Sequence, residues 1–189
     1  MKRLVSFFLF VVSILPVYSL EWNTSTYSMS DDETCCGWKL PWDVYHTWER
    51  KSPLEAHTIF RVYQPQTGMV AFVNFNRFNK EPIYNSIWDV FDEYENILKE
   101  QDKKRYAKGE LISDRETFAT FFNGEYAICS YYISRKRDQK SGSSIKTHCL
   151  SYYMINKIGL YIIAVKCSDS SFVKYGKAYM EGVLHGFYI

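Results

Sequence analysis

Apolar residues recur at Ile87, Phe91, Tyr94 and Leu98, the i, i+4, i+7, i+11 spacing of one helical face, while Asp92, Glu93, Glu95, Lys99 and Glu100 fall on the others. The spacing predicts an amphipathic helix capped by Asn85 or Ser86 and fading near Lys103, before the basic residues and glycine of Lys104 to Gly109. A second stripe, Phe172, Tyr175, Tyr179 and Val183, predicts a closing helix. Asp169, Ser170 and Ser171 offer cap oxygens, and Gly186 can end it. Elsewhere β-branched and aromatic runs predict strands. His57 to Val62 and Met69 to Phe78 flank Pro65-Gln66-Thr67-Gly68 and form a hairpin. Thr117 to Phe122 and Glu125 to Ile133 flank Asn123-Gly124, a two-residue turn in which both positions accept positive φ. Ile145 to Ile155 and Leu160 to Cys167 complete a four-strand meander. The fold class is α+β: an antiparallel β-sheet, hairpin plus meander, packed by two amphipathic helices. Both helices on one sheet face would leave an aromatic face free as an interface; one helix on each face would cover both.

The amino terminus reads as a targeting segment. Lys2 and Arg3 precede an apolar run from Leu4 to Leu15, the length of a signal core and too short for a membrane span. Pro16 and Val17-Tyr18-Ser19 then place cleavage after Ser19, so 1–19 is a signal peptide and the mature protein is exported, periplasmic or secreted. No other stretch is long and apolar enough to span a membrane. Removing Lys2 and Arg3 from 23 basic residues leaves 21 against 21 acidic ones. That balance supplies no counterion-release drive toward nucleic acid. Residues 20–52 read as an extended arm or loop carrying Cys35-Cys36, with a short helix over Pro41 to Trp48, and 53–189 as a single α+β domain. Asn23-Thr24-Ser25 fits a glycosylation sequon, which applies only in a eukaryotic source.

The order of elements carries a resemblance. The hairpin, the long helix, the strand ending at Phe122, the turn Asn123-Gly124-Glu125-Tyr126-Ala127, a meander closing at Gly159-Leu160-Tyr161-Ile162-Ile163 and the final helix together resemble the PsbP/Mog-type α+β superfamily over roughly residues 53–187. The resemblance implies a scaffold that acts by docking onto protein partners and has no catalytic motif. It transfers no functional residue, and the cysteines stand outside its pattern.

All five cysteines, Cys35, Cys36, Cys129, Cys149 and Cys167, lie beyond the signal segment, where an oxidising compartment favours disulfides. All five are disulfide candidates. A loop symmetric about residue 139 would set Cys129 opposite Cys149, and a three-residue turn would set Cys149 opposite Cys167, a row across neighbouring strands. One sheet disulfide would then form, with the third sheet cysteine reaching Cys35 or Cys36 and one thiol left over. Burial as small unbridged residues is the other reading. A zinc site from these thiols with His148 lacks any Cys-x-x-Cys spacing.

Candidate chemistry is sparse. There is no Gly-x-Ser-x-Gly, His-Glu-x-x-His, P-loop or Gly-x-Gly-x-x-Gly motif, and we assign no catalytic residue, cofactor or metal. Cys35 or Cys36 with His46, His57 or His185 would make a Cys-His enzyme. Asp31, Asp32 and Glu33 lack the spaced ligands of a calcium loop, and Arg135-Lys136-Arg137-Asp138-Gln139-Lys140 reads as a solvated loop. Sixteen Tyr, 13 Phe and five Trp exceed the needs of a small core, and Tyr and Trp suit interfaces. The sequence therefore points to an exported, non-enzymatic protein that binds a protein partner or a small apolar ligand through an aromatic sheet face or groove. A periplasmic immunity or inhibitor protein and a small secreted Cys-His enzyme are the alternatives.

Overall fold

The computed structural model describes residues 23–31, 34–42, 48–51, 57–78, 86–138, 141–156 and 159–188. Ten strands and two helices follow in the order β1 (Asn23–Asp31), β2 (Thr34–Trp42), β3 (Glu49–Arg50), β4 (Thr58–Gln64), β5 (Met69–Arg77), α1 (Ile87–Ala107), β6 (Glu110–Phe122), β7 (Glu125–Arg137), β8 (Ser144–Ile155), β9 (Gly159–Ser168), α2 (Asp169–His185) and β10 (Phe187–Tyr188). The main sheet has the order β3-β4-β5-β9-β8-β7-β6, and a smaller one has the order β1-β2-β10. Every pairing is antiparallel. The fold class is the α+β arrangement expected: the hairpin β4-β5 joins the meander β6 to β9 through β9.

The turn at Asn123-Gly124 forms as the dipeptide dictates, with φ of 52° and 85°, which holds Phe122 opposite Glu125. β6 begins earlier than its apolar run suggested. Asp114, at φ 51°, sits in a register shift between Ser113 and Glu116, so the strand continues through a bulge back to Glu110. α1 starts at the predicted cap: the Ser86 N–H donates to the Asp89 carboxylate at 3.2 Å. It runs past Lys103 to Ala107, where Lys104 and Arg105 in the last turn suit the negative helix end. In α2 the Ser168 hydroxyl caps the Ser171 N–H, and the helix breaks at Gly176, whose φ of 75° and ψ of 176° suit only a residue without Cβ.

The helices lie on opposite faces of the sheet. Val90 and Tyr94 of α1 bury against Ile128, Tyr153, Ile155, Leu160 and Ile162. Met180, Val183 and Leu184 of α2 join Cys129, Leu150, Met154, Ile163 and Val165 on the other side. One helix per face is the physical answer to strands such as β9, which is apolar on both sides and would leave a face wet if both helices shared the other.

Of residues 20–38, expected as an arm or loop, the described ones lie in the antiparallel strands β1 and β2 instead. The second of these strands buries Trp38 and Leu40 in the α2-side core. The Trp38 indole N–H donates to the Val183 carbonyl at 2.6 Å, and the ring meets Phe187 edge-on at 5.7 Å. The Lys39 N–H donates to the Gly186 carbonyl at 2.8 Å, which stitches this strand to the chain's end. The short helix expected over Pro41 to Trp48 is not found where the chain is described: Pro41 and Trp42 end β2, Trp48 is not helical, and 43–47 lie outside the described residues. Residues 1–19, with the expected signal peptide, also lie outside them. Among the described residues no helix is long and apolar enough to cross a membrane.

Candidate functional site

The expected row of cysteines does not form. Cys129 pairs with Tyr152, and Cys149 pairs with Tyr132 on one side and Lys166 on the other. The β7 to β8 connection is therefore centred away from residue 139, a shift of one strand position and more, and Cys149 points to the α1 face while Cys129 and Cys167 point to the α2 face. Cys167 pairs with His148, and Cys129 lies two strands away, roughly 10 Å in the hydrogen-bonding direction alone. All three are buried and unbridged. Burial pushes the Cys129 thiol up to about 11 and Cys167 up to about 12, and raises Cys149 as well. At neutral pH all three are protonated and are poor nucleophiles. In β2, Cys35 lies opposite Ser30 and Cys36 opposite Met29 along the backbone.

The histidines are placed differently from the pairs considered. His46 is outside the described residues. The His185 ring stacks on Phe122, 5.9 Å between centroids, and His57 lines a cleft on the α1 face. His148, expected only as a zinc ligand, has a polar partner on each ring nitrogen. The Tyr131 hydroxyl meets Nδ1 at 2.7 Å, Asp169 Oδ1 meets Nε2 at 2.7 Å, and Lys146 joins Asp169 at 2.8 Å. A carboxylate on one nitrogen resembles the orienting arm of a catalytic histidine. Here the other nitrogen is closed by Tyr131, whose phenol burial pushes up to about 12, and the cross-strand Cys167 sulfur contacts Met180 Sδ at 3.8 Å instead. These contacts clamp the start of α2 to the sheet. Among the described residues no three His, Cys, Asp or Glu side chains converge as a metal site.

Arg135 to Arg137 are residues of β7 rather than of a loop. Asp31 ends β1, and Asp32 and Glu33 lie outside the described residues. With both sheet faces covered, the aromatic surplus goes largely inward: Tyr94, Tyr132, Tyr153 and Tyr161 are fully buried.

What remains open is a cleft of about 690 Å³ beside α1. α1 packs over β6 and β7, with Tyr94 against Tyr153 of β8, and the cleft lies between its flank and the β5-β9 side of the sheet. Ligand sites of this size are common for small molecules. Phe72, Ile162 and Ala164 form an apolar floor, with Ile97 of α1 as the wall. Pairings Phe72 with Ala164 and Asn74 with Ile162 align these residues in rows across the strands. At one end stand Lys104, Arg105, Lys108 and Lys166; at the other, the amides of Asn74, Asn76 and Asn96. The cationic end is well braced. The Arg105 and Arg115 guanidinium groups lie against the Tyr132 ring at 4.8 and 4.4 Å, and Arg115 holds Asp102 of α1 through both carboxylate oxygens at 3.0 and 3.2 Å. The Tyr153 hydroxyl donates to Gln101 Oε1 at 3.2 Å, a further tie between α1 and the sheet.

Sequence reasoning did not find this cleft. Lys166 was the available signal, since it interrupts the apolar run from Leu160 to Val165. Phe72, on which its Nζ lies, and Arg105, which lines the same cleft, come from distant segments that no spacing rule joins.

No protein-family model and no curated protein matches the chain. Among solved structures it is similar to the cyanobacterial PsbP protein, CyanoP, from Synechocystis sp. PCC 6803, with a TM-score of 0.52 at 11% identity, covering 88% of this chain and 93% of that one. A protein of unknown function from Pseudomonas aeruginosa is 10% identical over 83% of this chain and 92% of that one, but its TM-score of 0.40 is too low to establish a shared fold. The chain thus has a PsbP-like fold, as the order of its elements suggested. At this identity the likeness concerns the fold alone.

Proposed function

We propose that the protein is an exported, non-enzymatic binding protein that takes a small apolar molecule in the cleft beside α1. The observation that carries this reading is the cleft itself: an apolar floor of Phe72, Ile162 and Ala164, walled by one helix and ended by polar groups on both sides. The protonated, buried sheet thiols support a role without thiol chemistry. The neutral apolar dye N-phenyl-1-naphthylamine should brighten and shift to the blue on saturable binding. Asn96→Trp, at an exposed α1 position on the cleft rim, should abolish the signal while the circular dichroism spectrum stays the same. Saturable dye binding that the rim substitution leaves intact would place the ligand elsewhere. Export is tested separately, by sequencing the amino terminus of the natural protein, which should begin at Leu20.

A protein partner is the second reading, and β6 favours it. Among the described residues this strand ends the main sheet, pairs only with β7 and exposes Phe118 and Phe121. Capture from an envelope extract with wild type, but not with a Phe118→Lys and Phe121→Lys variant, is the expected result for that reading.

A further inference from the structure

We infer that the ligand of this cleft is a monomeric amphiphile with one anionic head, a carboxylate or sulfonate, seated against Lys166; the inference rests on the reading of the cleft as a ligand site. Lys166 rises from the floor on β9. Its stem crosses the Phe72 ring, with Nζ 5.0 Å from the centroid, and no carboxylate pairs with it among the described residues. Along the same row, Cys149 separates it from Tyr132, the ring on which Arg105 rests.

The charge is unevenly distributed along the cleft. The end of α1 carries only about half a negative charge, so Lys104 and Arg105 in its last turn outweigh it, and with Arg61, Lys108 and Lys166 the lining has five cations against the three carboxylates of Glu93, Glu100 and Glu110. The acidic residues of the lining do not cancel them. Glu110, which also accepts the Ser134 hydroxyl, acts on Arg105, Glu100 is tied to Lys103 at 2.7 Å, and Glu93 lies 11 residues before Lys104 on α1, about 16 Å along the axis, which leaves Lys166 without a carboxylate of its own among the described residues.

From Lys166 the floor runs through Ala164 to Ile162 and Asn74, about 13 Å of strand, and becomes polar but uncharged at Asn74 and Asn76. A molecule with an apolar body and one negative end matches the apolar floor and the cations at the Lys166 end, while Glu93 and the asparagine amides at the far end disfavour a second anionic group there. The cation at Lys166 is partly withdrawn from solvent, where it attracts an anion more strongly than a surface lysine does.

The test compares 1-anilinonaphthalene-8-sulfonate with the neutral N-phenyl-1-naphthylamine on the full mature chain. The sulfonate should bind at least tenfold more tightly. Decanoate below its micelle concentration should displace it. Lys166→Met, which keeps the stem over Phe72, should remove the tenfold preference and leave the neutral dye unchanged. Lys108→Gln, at an exposed position, should remove part of it and serves if the first variant does not fold. Equal affinity for the two dyes, or a preference that survives both substitutions, would overturn the anionic head while leaving an apolar cleft. If neither dye binds, the cleft reading falls as well.

Discussion

The imidazole of His148 lies flat on the ring of Phe172, with 3.8 Å between the centroids and 3° between the planes. This contact, together with the Asp169 carboxylate on Nε2, docks the first turn of α2 onto β8. Bonds from His148 and Lys146 hold the Asp169 carboxyl below its ordinary value of 3.8. An acid whose folded value is lowered contributes stability above its unfolded value and loses it as pH falls through the folded one. Wild type should therefore lose stability between neutral pH and the range below 3.8 more steeply than Asp169→Asn, which cannot titrate there. Parallel urea-midpoint curves for the two proteins would show that the carboxylate is not coupled to folding.

The three sheet thiols respond in the opposite direction. Their folded values are raised by burial, so they favour the folded state fully below the ordinary thiol value of 9.0. That contribution is lost as pH climbs toward the raised values of about 11 for Cys129 and about 12 for Cys167. In a Cys35→Ser, Cys36→Ser background, the native protein at pH 8 should resist a thiol-specific chromogenic disulfide, and unfolding without reductant should release three thiols. Fewer than three on unfolding would reveal a bridge between sheet cysteines.

Gly186 marks a close backbone approach. A Cβ there would lie 1.8 Å from the Lys39 carbonyl oxygen and 2.9 Å from its carbon, so β2 has to move. Displacing β2 pulls Trp38 from its bond to Val183. Gly186→Ala should cost about 1–3 kcal/mol or more, as overpacking does, and red-shift the tryptophan emission. An unchanged melting temperature would mean that the hairpin is only loosely attached.

Arg115 joins three elements: it holds Asp102 of α1, donates to the Ser130 hydroxyl at 3.1 Å and lies on the Tyr132 ring of β7. With side chains only 17% and 22% exposed, the Arg115 and Asp102 pair is largely shielded from solvent. Arg115→Met should destabilise by roughly 1.5–3 kcal/mol, the range for hydrogen bonds to charged groups. A double-mutant cycle with Asp102→Asn should show strong coupling; additive effects would reduce the pair to a surface contact.

The elements themselves were written in local patterns. The stripe through Ile87, Phe91, Tyr94 and Leu98, the Asn123-Gly124 turn and the alternation around it define helix, turn and strands because each depends on residues a few positions apart. From the same patterns came the order of elements that resembles the PsbP fold. The sequence by itself could not place the cysteines. Side chains on a strand alternate faces, so a register in which Cys129 meets Tyr152 rather than Cys149, an odd shift of three positions, carries Cys149 to the side opposite Cys129. Nor could it choose between one covered face and two, since β7, β8 and β9 are apolar on both sides and fit either arrangement. The burial of Trp38 beneath Phe187, the clamp on His148 and the meeting of Phe72, Arg105 and Lys166 in one cleft join residues from different elements of the chain. Only tertiary packing decides such meetings, because they depend on which surfaces exclude water together rather than on any local spacing.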